Sequence, residues 1–401
     1  MKQRQSTCPC CGSRVVTQFY TQQNVPVHSV MKIRDRQSAL DFPRGTIHLG
    51  FCESCGFIFN RAFEPQKLSY SPECEESQGF SAIFSRFHRQ LARDLIDRYD
   101  LHGKDIIEIG CGKGEFLYLL CSLGGNLGIG FDPAYTQGRF PDQENLSLTF
   151  IKDYYSQKYA GISANFYCCK MTLEHIPDVF NFMQVVRSAV GDQADKIVFF
   201  QVPDVARILE EVAFWDIYYE HCSYFSFGSL VRLFRSTGFE VINLWRGYDD
   251  QYLMIEARPG SGQATQLAVE DDLISMKESV CFFKQKQKDL KKAWTSVLSS
   301  LKAEGMSVIL WGGGSKAVSF LANLPVNDAI SFVVDVNPYK SHTYIAGTGH
   351  EIITPEELVL PEHCPDVVIV MNPVYIPEIQ EQLSRMKIHP QVLTVQAPEF
   401  G

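Results

Sequence analysis

Residues 214–226, FWDIYYEHCSYFS, set Tyr218, Glu220, His221 and Tyr224 among large apolar side chains. Removing a proton from carbon requires a base near neutrality and a donor facing the oxygen on which charge develops. His221 suits the first role and Tyr218 the second. Glu220 is placed either to orient the imidazole or to bind a substrate hydroxyl, and both readings stand. A lone histidine is more often a packed core residue. What marks this one is a cluster of titratable groups between apolar flanks, where burial shifts proton affinities.

A second chemical signature lies upstream. KDIIEIGCGKGEFLYLLCSLG gives a buried strand over 106–109, a turn with Gly110, Gly112 and Gly114 at alternating positions, and then a helix. Such glycines let backbone N–H groups come close to a ligand. Glu108 precedes the loop, and the strand in LGIGFDP ends at Asp132, where a carboxylate can accept both hydroxyls of a ribose. A dinucleotide-binding G-x-G-x-x-G loop competes, but it would need its third glycine where Glu115 or Leu117 stands. FIKDYY places Asp153 near the end of a third strand, NFYCCKMTLEHIPD reads as a fourth strand with His175 in the following turn, and KIVFFQVPD as a fifth. This ordered set resembles class I methyltransferases that use S-adenosylmethionine. The resemblance implies that Glu108, Gly110, Gly112, Gly114 and Asp132 bind the methyl donor and that Asp153 recognises its adenine.

CPCCG and CESCG place Cys8, Cys11, Cys52 and Cys55 as two C-x2-C pairs, each followed by glycine. Four thiolates satisfy tetrahedral zinc and leave no open position, so the expected role is structural. The second pair must return through a short sheet, for which TIHLGFCESCGFIFN alternates suitably. With no leader-like start among its 401 residues, the thirteen cysteines are expected to stay reduced and the chain to be cytoplasmic. A net charge of -9 argues against a general nucleic-acid partner. No apolar run long enough for a membrane span is present. Small-molecule chemistry by a monomer or weak dimer is expected.

The C-terminal third begins after a Gly/Ser/Pro-rich break over 258–266 and a long helical stretch. SVILWGGGSKAVSFLANL then reads as strand, Gly312, Gly314, Ser315 and Lys316, and helix. Further strands end at Asp335, followed by Asn337, and before Asn372. This predicts a second, smaller Rossmann-like sheet. Glycines and a lysine at a helix start favour an anion, for which pyrophosphate fits; a degenerate unit kept for packing is the alternative. Thr354 reads as the cap of a helix opening with Pro355. The predicted fold is α/β: a zinc module over 1–75, a methyltransferase sheet over 76–260 and a Rossmann-like domain over 261–401.

The four cysteines, NRAFEPQKLSY, EIGCGKGEF, YYEHCSYFS and IAGTGHEIITPEEL together resemble the sugar C-methyltransferases that act on nucleotide-linked 4-keto-deoxyhexoses. The resemblance implies that His221 removes the proton from the sugar's third carbon and that the enolate carbon takes the sulfonium methyl. It assigns catalysis to Tyr218, Glu220, His221 and His175. It implies that the nucleotide sugar meets Tyr70 and Tyr224 and lies with its nucleotide end against Gly312, Gly314, Ser315, Lys316, Asp335, Asn337 and Asn372. One departure stands out: several members have Asn four residues before the histidine of the strand-four turn, and Met171 stands there in this chain. Transfer to oxygen or nitrogen of another metabolite, and a catalytically silent binding protein, are the competing readings.

Overall fold

The computed structural model describes residues 7–140, 146–260 and 267–396. Around the cysteines the chain folds back as the alternating text requires. β1 (Val16–Pro26) pairs antiparallel with β2 (Arg44–Cys52), α1 (Arg36–Leu40) lies between them, and β3 (Ile58–Asn60) continues the sheet beside β2.

α2 (Ala82–Tyr99) follows, capped by the Ser81 hydroxyl, which accepts from Phe84 N–H. It buries Phe84, His88, Leu91, Ala92, Leu95 and Ile96, the three-to-four spacing of a one-faced helix. Alternation of strand and helix then builds the central layer: β4 (Asp105–Ile109), α3 (Glu115–Gly124), β5 (Leu127–Phe131), β6 (Leu148–Ile151), β7 (Phe166–Lys170), α4 (Val179–Val190), β8 (Ile197–Pro203) and α5 (Val205–Glu210). After β9 (Ser223–Tyr224) and α6 (Phe227–Ser236), the hairpin β10 (Phe239–Gly247) and β11 (Tyr252–Pro259) closes the layer. The strand order is β6-β5-β4-β7-β8-β11-β10, with β11 antiparallel to its neighbours. Every residue of β7 is buried, as expected for a strand covered on both faces. The order reverses between β4 and β7, which opens a crevice at the carboxyl ends of these strands. β9 does not join this sheet. It pairs with β3, Ile58 to Tyr224 and Phe59 to Ser223, and so draws residues 214–226 onto the cysteine module.

The third layer starts with α7 (Leu273–Ala303), whose Trp294 and Leu298 are fully buried. β12 (Val308–Trp311), α8 (Ser315–Asn323), β13 (Ile330–Val334), β14 (Thr343–Tyr344), β15 (Glu351–Ile353), β16 (Val367–Val370), α9 (Ile376–Arg385) and β17 (Gln391–Thr394) complete it. The order is β14-β15-β13-β12-β16-β17, parallel but for β14. Both α/β sheets use the same device: Asp132 Oδ2 accepts from Gly112 N–H at 2.9 Å, and Asp335 Oδ2 accepts from Gly313 N–H at 2.9 Å. Thr354 caps only a 3-10 turn, Pro355–Val359, where the sequence predicts a helix; its N–H is held by Glu357 at 2.8 Å. The predicted break over 258–266 begins inside β11, and residues 261–266 lie outside the described residues.

The layers share packing. One apolar cluster runs from Phe19 on β1 through Phe214 and Trp215 to Trp294 and Phe320. Glu378, in the first turn of α9, accepts from Ser81 Oγ at 2.7 Å and from Ala82 N–H at 3.1 Å, so one carboxylate serves the amino ends of two helices.

Candidate active site

Two cavities meet inside the molecule. One, about 380 Å³, lies beyond the carboxyl ends of β4, β5 and β7; the other, about 220 Å³, lies between the central and third sheets. Their walls have residues in common, among them Val30, Met171, Tyr218, His221 and Ser315.

The larger cavity is built on the glycine loop. Gly110 has φ 69°, and a Cβ there would lie 2.0 Å from the Thr172 hydroxyl oxygen; at Gly112, φ 54°, it would lie 2.6 Å from Glu76 Oε1. Only glycine fits both positions. Gly114 starts α3 at φ 85° against the Phe150 ring and is not part of the cavity wall, so its place is in the turn. Glu108 lies beneath the loop, where its carboxylate accepts from Leu117 N–H at 2.9 Å. Burial pushes its carboxyl up to about 8. Asp132 accepts from Gly112 and Ala134 N–H groups and is also raised by burial. Asp153, past β6, accepts from the Tyr159 hydroxyl at 2.6 Å and from Lys158 at 3.1 Å, contacts that hold it below the usual carboxylate value. The Lys170–His88 pair, 2.8 Å apart and buried on the same wall, is not marked by any sequence motif.

At the junction, local hydrogen bonding explains which side chains of 214–226 face inward. Ser319 on α8 donates to the carbonyls of Phe214 and Ile217. The Tyr219 hydroxyl turns away and accepts from Glu64 N–H at 2.9 Å. Cys222 N–H donates to the Glu174 carbonyl at 3.0 Å, and its own carbonyl accepts from Asn60 N–H at 2.9 Å. Tyr218 and His221 are left on the cavity walls, ring centroids 4.1 Å apart. His221 is 4% exposed. Burial, with the charges of His175 and Lys316, holds its pKa well below that of an ordinary imidazole, so the ring is neutral near pH 7. Burial pushes the Tyr218 phenol well above its usual value and keeps it a proton donor.

Glu220, on the wall of the larger cavity, is held by residues far away in the chain. Its Oε1 lies 2.7 Å from His28 Nδ1, and its Oε2 accepts from Ser29 N–H at 2.9 Å and from the Ser29 hydroxyl. Burial alone would raise this carboxyl, but His28 and Ser29 outweigh it and the pKa is lowered. His175 Nδ1 is paired with the Tyr70 hydroxyl at 2.8 Å, and burial lowers its pKa. Both residues line the larger cavity. Tyr224 is not on either wall; it packs behind, its hydroxyl directed at the Tyr218 carbonyl at 3.5 Å.

Gly312, Gly314, Ser315, Lys316, Asp335, Asn337 and Asn372 all line the smaller cavity. Several are already engaged within the protein. The Lys316 ammonium is paired with Asp216, which also accepts from Arg207 at 2.7 Å. Asn337 donates to Glu75 Oε1 at 3.1 Å and to the Ser77 carbonyl at 3.2 Å. Asn372 and Gln251 exchange amide hydrogen bonds. The Ser315 and Ser29 hydroxyl oxygens lie 2.7 Å apart, which ties the third layer to the clasp around Glu220. Asp216 sits in the 214–226 stretch, whereas nothing local marks His28, Ser29 or Arg207.

The four cysteine sulfurs lie within 4.8 Å of one another, with Cys8 and Cys55 3.7 Å apart and Cys11 and Cys52 3.6 Å apart. A tetrahedron of sulfurs at the usual zinc–thiolate length has edges of about 3.8 Å. The set fits that ion.

Comparison with known proteins agrees with this architecture. Residues 82–244 match the family model described as a methyltransferase domain, and residues 258–395 match the C-methyltransferase C-terminal domain. The C-methyltransferase NovU of Streptomyces niveus is 23% identical over 307 residues, covering 73% of this chain and 72% of NovU. Among solved structures, 1,6-didemethyltoxoflavin-N1-methyltransferase of Burkholderia thailandensis overlaps 45% of this chain and 81% of its own at 12% identity, TM-score 0.35. Magnesium protoporphyrin IX methyltransferase of Synechocystis PCC 6803 overlaps 44% and 84% at 15% identity, TM-score 0.34. With both domain models matched in tandem and a relative aligned across nearly three quarters of its length, the chain is an S-adenosylmethionine-dependent methyltransferase that is similar in both domains to the C-methyltransferases.

Proposed function

We propose that the protein methylates the carbon beside the ketone of a nucleotide-linked keto-deoxysugar. The observation that carries this reading is the position of His221 and Tyr218 on the wall shared by two cavities. The larger suits the methyl donor and the smaller the sugar nucleotide. S-adenosylmethionine supplies an electrophilic methyl group when bound. Gly110, Gly112 and Asp132 would hold it, with Asp153 toward its adenine.

The chain's own groups do the rest. A C–H bond next to a ketone ionises only if the enolate oxygen is stabilised. The neutral His221 ring takes that proton, and the Tyr218 hydroxyl donates to the oxygen. The Tyr70–His175 pair lines the donor side of the junction, and the Glu220 clasp fixes the main chain next to His221. The four cysteines bind zinc in a structural role, since four protein ligands leave no coordination position for substrate. Methyl transfer to oxygen or nitrogen would not call for a phenol opposite a buried imidazole.

A deuterium experiment tests the reading. A thymidine-diphosphate-linked 4-keto-6-deoxyhexose incubated with enzyme in D2O, without methyl donor, should gain deuterium beside the ketone. His221→Asn should abolish the exchange. Methylation of a hydroxyl or amine without any exchange would overturn the assignment.

A further inference from the structure

Beside His221 stands a carboxylate that the chemistry above does not use. Glu174 is 1% exposed, lines the larger cavity, and neither of its side-chain oxygens has a hydrogen-bond partner. Buried carboxylates are ordinarily paired, so an unpaired one needs a reason. Its Oε1 lies 3.9 Å from His221 Nε2. The main chain sets this approach: Cys222 N–H donates to the Glu174 carbonyl, and Ser223 Oγ donates to the Ile176 carbonyl at 2.7 Å. The turn 173–175 and the segment carrying His221 are therefore joined by two hydrogen bonds immediately after the imidazole.

Glu174, His175 and His221 are close enough together to invite comparison with a cation site. His175, however, spends Nδ1 on Tyr70 and also meets the backbone of Glu220. Glu174 and His221 are left to answer each other.

We propose that Glu174 is the positioning partner of His221: its carboxylate receives the Nε2–H of the ring, leaving Nδ1 to take the proton from substrate carbon. The second half rests on the function proposed above. In the step, the C–H bond breaks and its electron pair stays on the substrate as the enolate. The proton forms a bond to Nδ1, and the Glu174 carboxylate balances the resulting imidazolium. The proton later passes to solvent. Closing 3.9 Å to a charge-assisted hydrogen bond takes a movement of about 1 Å.

The groups acting on this pair are known from each packed element. His175 comes from the same turn, Cys169 from β7, Tyr218 and Cys222 from the segment opposite, and Lys316 from α8 acts on His221. Burial pushes the Glu174 carboxyl up to about 8 and His221 well below its ordinary value. Between the lowered His221 value and about pH 8 both groups are uncharged. Above it, the carboxylate faces a neutral ring, which is the form the proposal makes active. kcat/KM, which reports the free enzyme, should therefore rise with pH through about 8 and then level.

Two measurements on the full chain test this. In histidine-labelled enzyme without ligands, the His221 ring signal, assigned by its loss in His221→Asn, should shift near pH 8. Glu174→Gln should remove that step while S-adenosylmethionine binding is retained. Identical His221 titrations in wild type and Glu174→Gln would overturn the pairing. In the deuterium exchange assay, Glu174→Gln should lower the rate about 10²-fold and flatten it between pH 7 and 9. Glu174→Asp should fold and restore part of the rate together with the alkaline rise. A rate that falls but keeps the rise would also overturn the pairing. A His221 step near pH 8 without exchange at any pH would leave the pairing intact and defeat the functional reading instead.

Discussion

Glu220 Oε1 and His28 Nδ1 lie 2.7 Å apart across 192 residues of sequence, and Ser29 holds the second oxygen of the same carboxylate. This contact fastens the segment that follows the cysteine module's first strand to the residue beside His221. Ser29 continues the chain of contacts to Ser315, at the first turn of α8. All three layers thus converge on one buried carboxylate.

Breaking the clasp should cost stability. Glu220→Gln should lower unfolding free energy by about 3 kcal/mol at pH 7, the scale for a buried pair that loses one charge. The pKa of Glu220 is depressed in the folded protein, so its contribution is complete above the unfolded value of about 4.3 and is lost as pH falls through the folded value. Urea melts at pH 7 and pH 3 should therefore differ more for wild type than for the variant. Equal stability of the two proteins at pH 7 would mean the clasp is idle.

His221→Asn and Tyr218→Phe should separate chemistry from donor binding. The first should lower kcat by about 10²–10⁴ and the second by about 10²–10³. Calorimetry with S-adenosylmethionine should give dissociation constants within a few-fold of wild type for both. Loss of donor binding would reassign these residues to the framework.

Metal removal should act through folding rather than chemistry. Elemental analysis should find one zinc per chain, and Cys52→Ser or a strong chelator should melt the cysteine module, because metal-binding energy there is folding energy. His28 and Ser29 would lose their placement with it, so turnover should fail while S-adenosylmethionine binding to the glycine loop survives. Full activity in a zinc-free preparation would refute the structural role.

Met171 tests the departure from the family pattern. It sits at φ 50° on the shared wall of both cavities, a left-handed conformation that Asn adopts more readily than most residues. Met171→Asn should keep the wild-type melting temperature and change the KM for the sugar nucleotide. Met171→Val should be destabilised by about 1–2 kcal/mol, since a β-branched residue resists that backbone. A wild-type melt for Met171→Val would show that the strain is absent.

Signals confined to a few neighbouring residues could be read directly. The C-x2-C pairs, the loop through Gly110 and Gly112 with Asp132 at the next strand end, and the second loop with Asp335 each depend on short spacing. The fold repeats that spacing as local hydrogen bonds, Asp132 to Gly112 and Asp335 to Gly313. The richness of 214–226 in titratable groups was visible for the same reason.

Which way each of those groups points was not. Tyr218 and Tyr219 are adjacent, yet one lines the cavities and the other bonds to Glu64, because β9 pairs with β3 and α8 holds the carbonyls before them. Lys316 reads as an anion-binding lysine from the glycines before it, and its pairing with Asp216, 100 residues away in the chain, has no mark in that stretch. Amino-acid order determined the elements and the chemistry carried at their ends, since both follow from periodicity and residue type within a few turns. The partners of Glu220, the unpaired carboxylate of Glu174 and the meeting of two cavities at His221 were decided only by packing, which joins groups far apart in the chain and leaves no local trace.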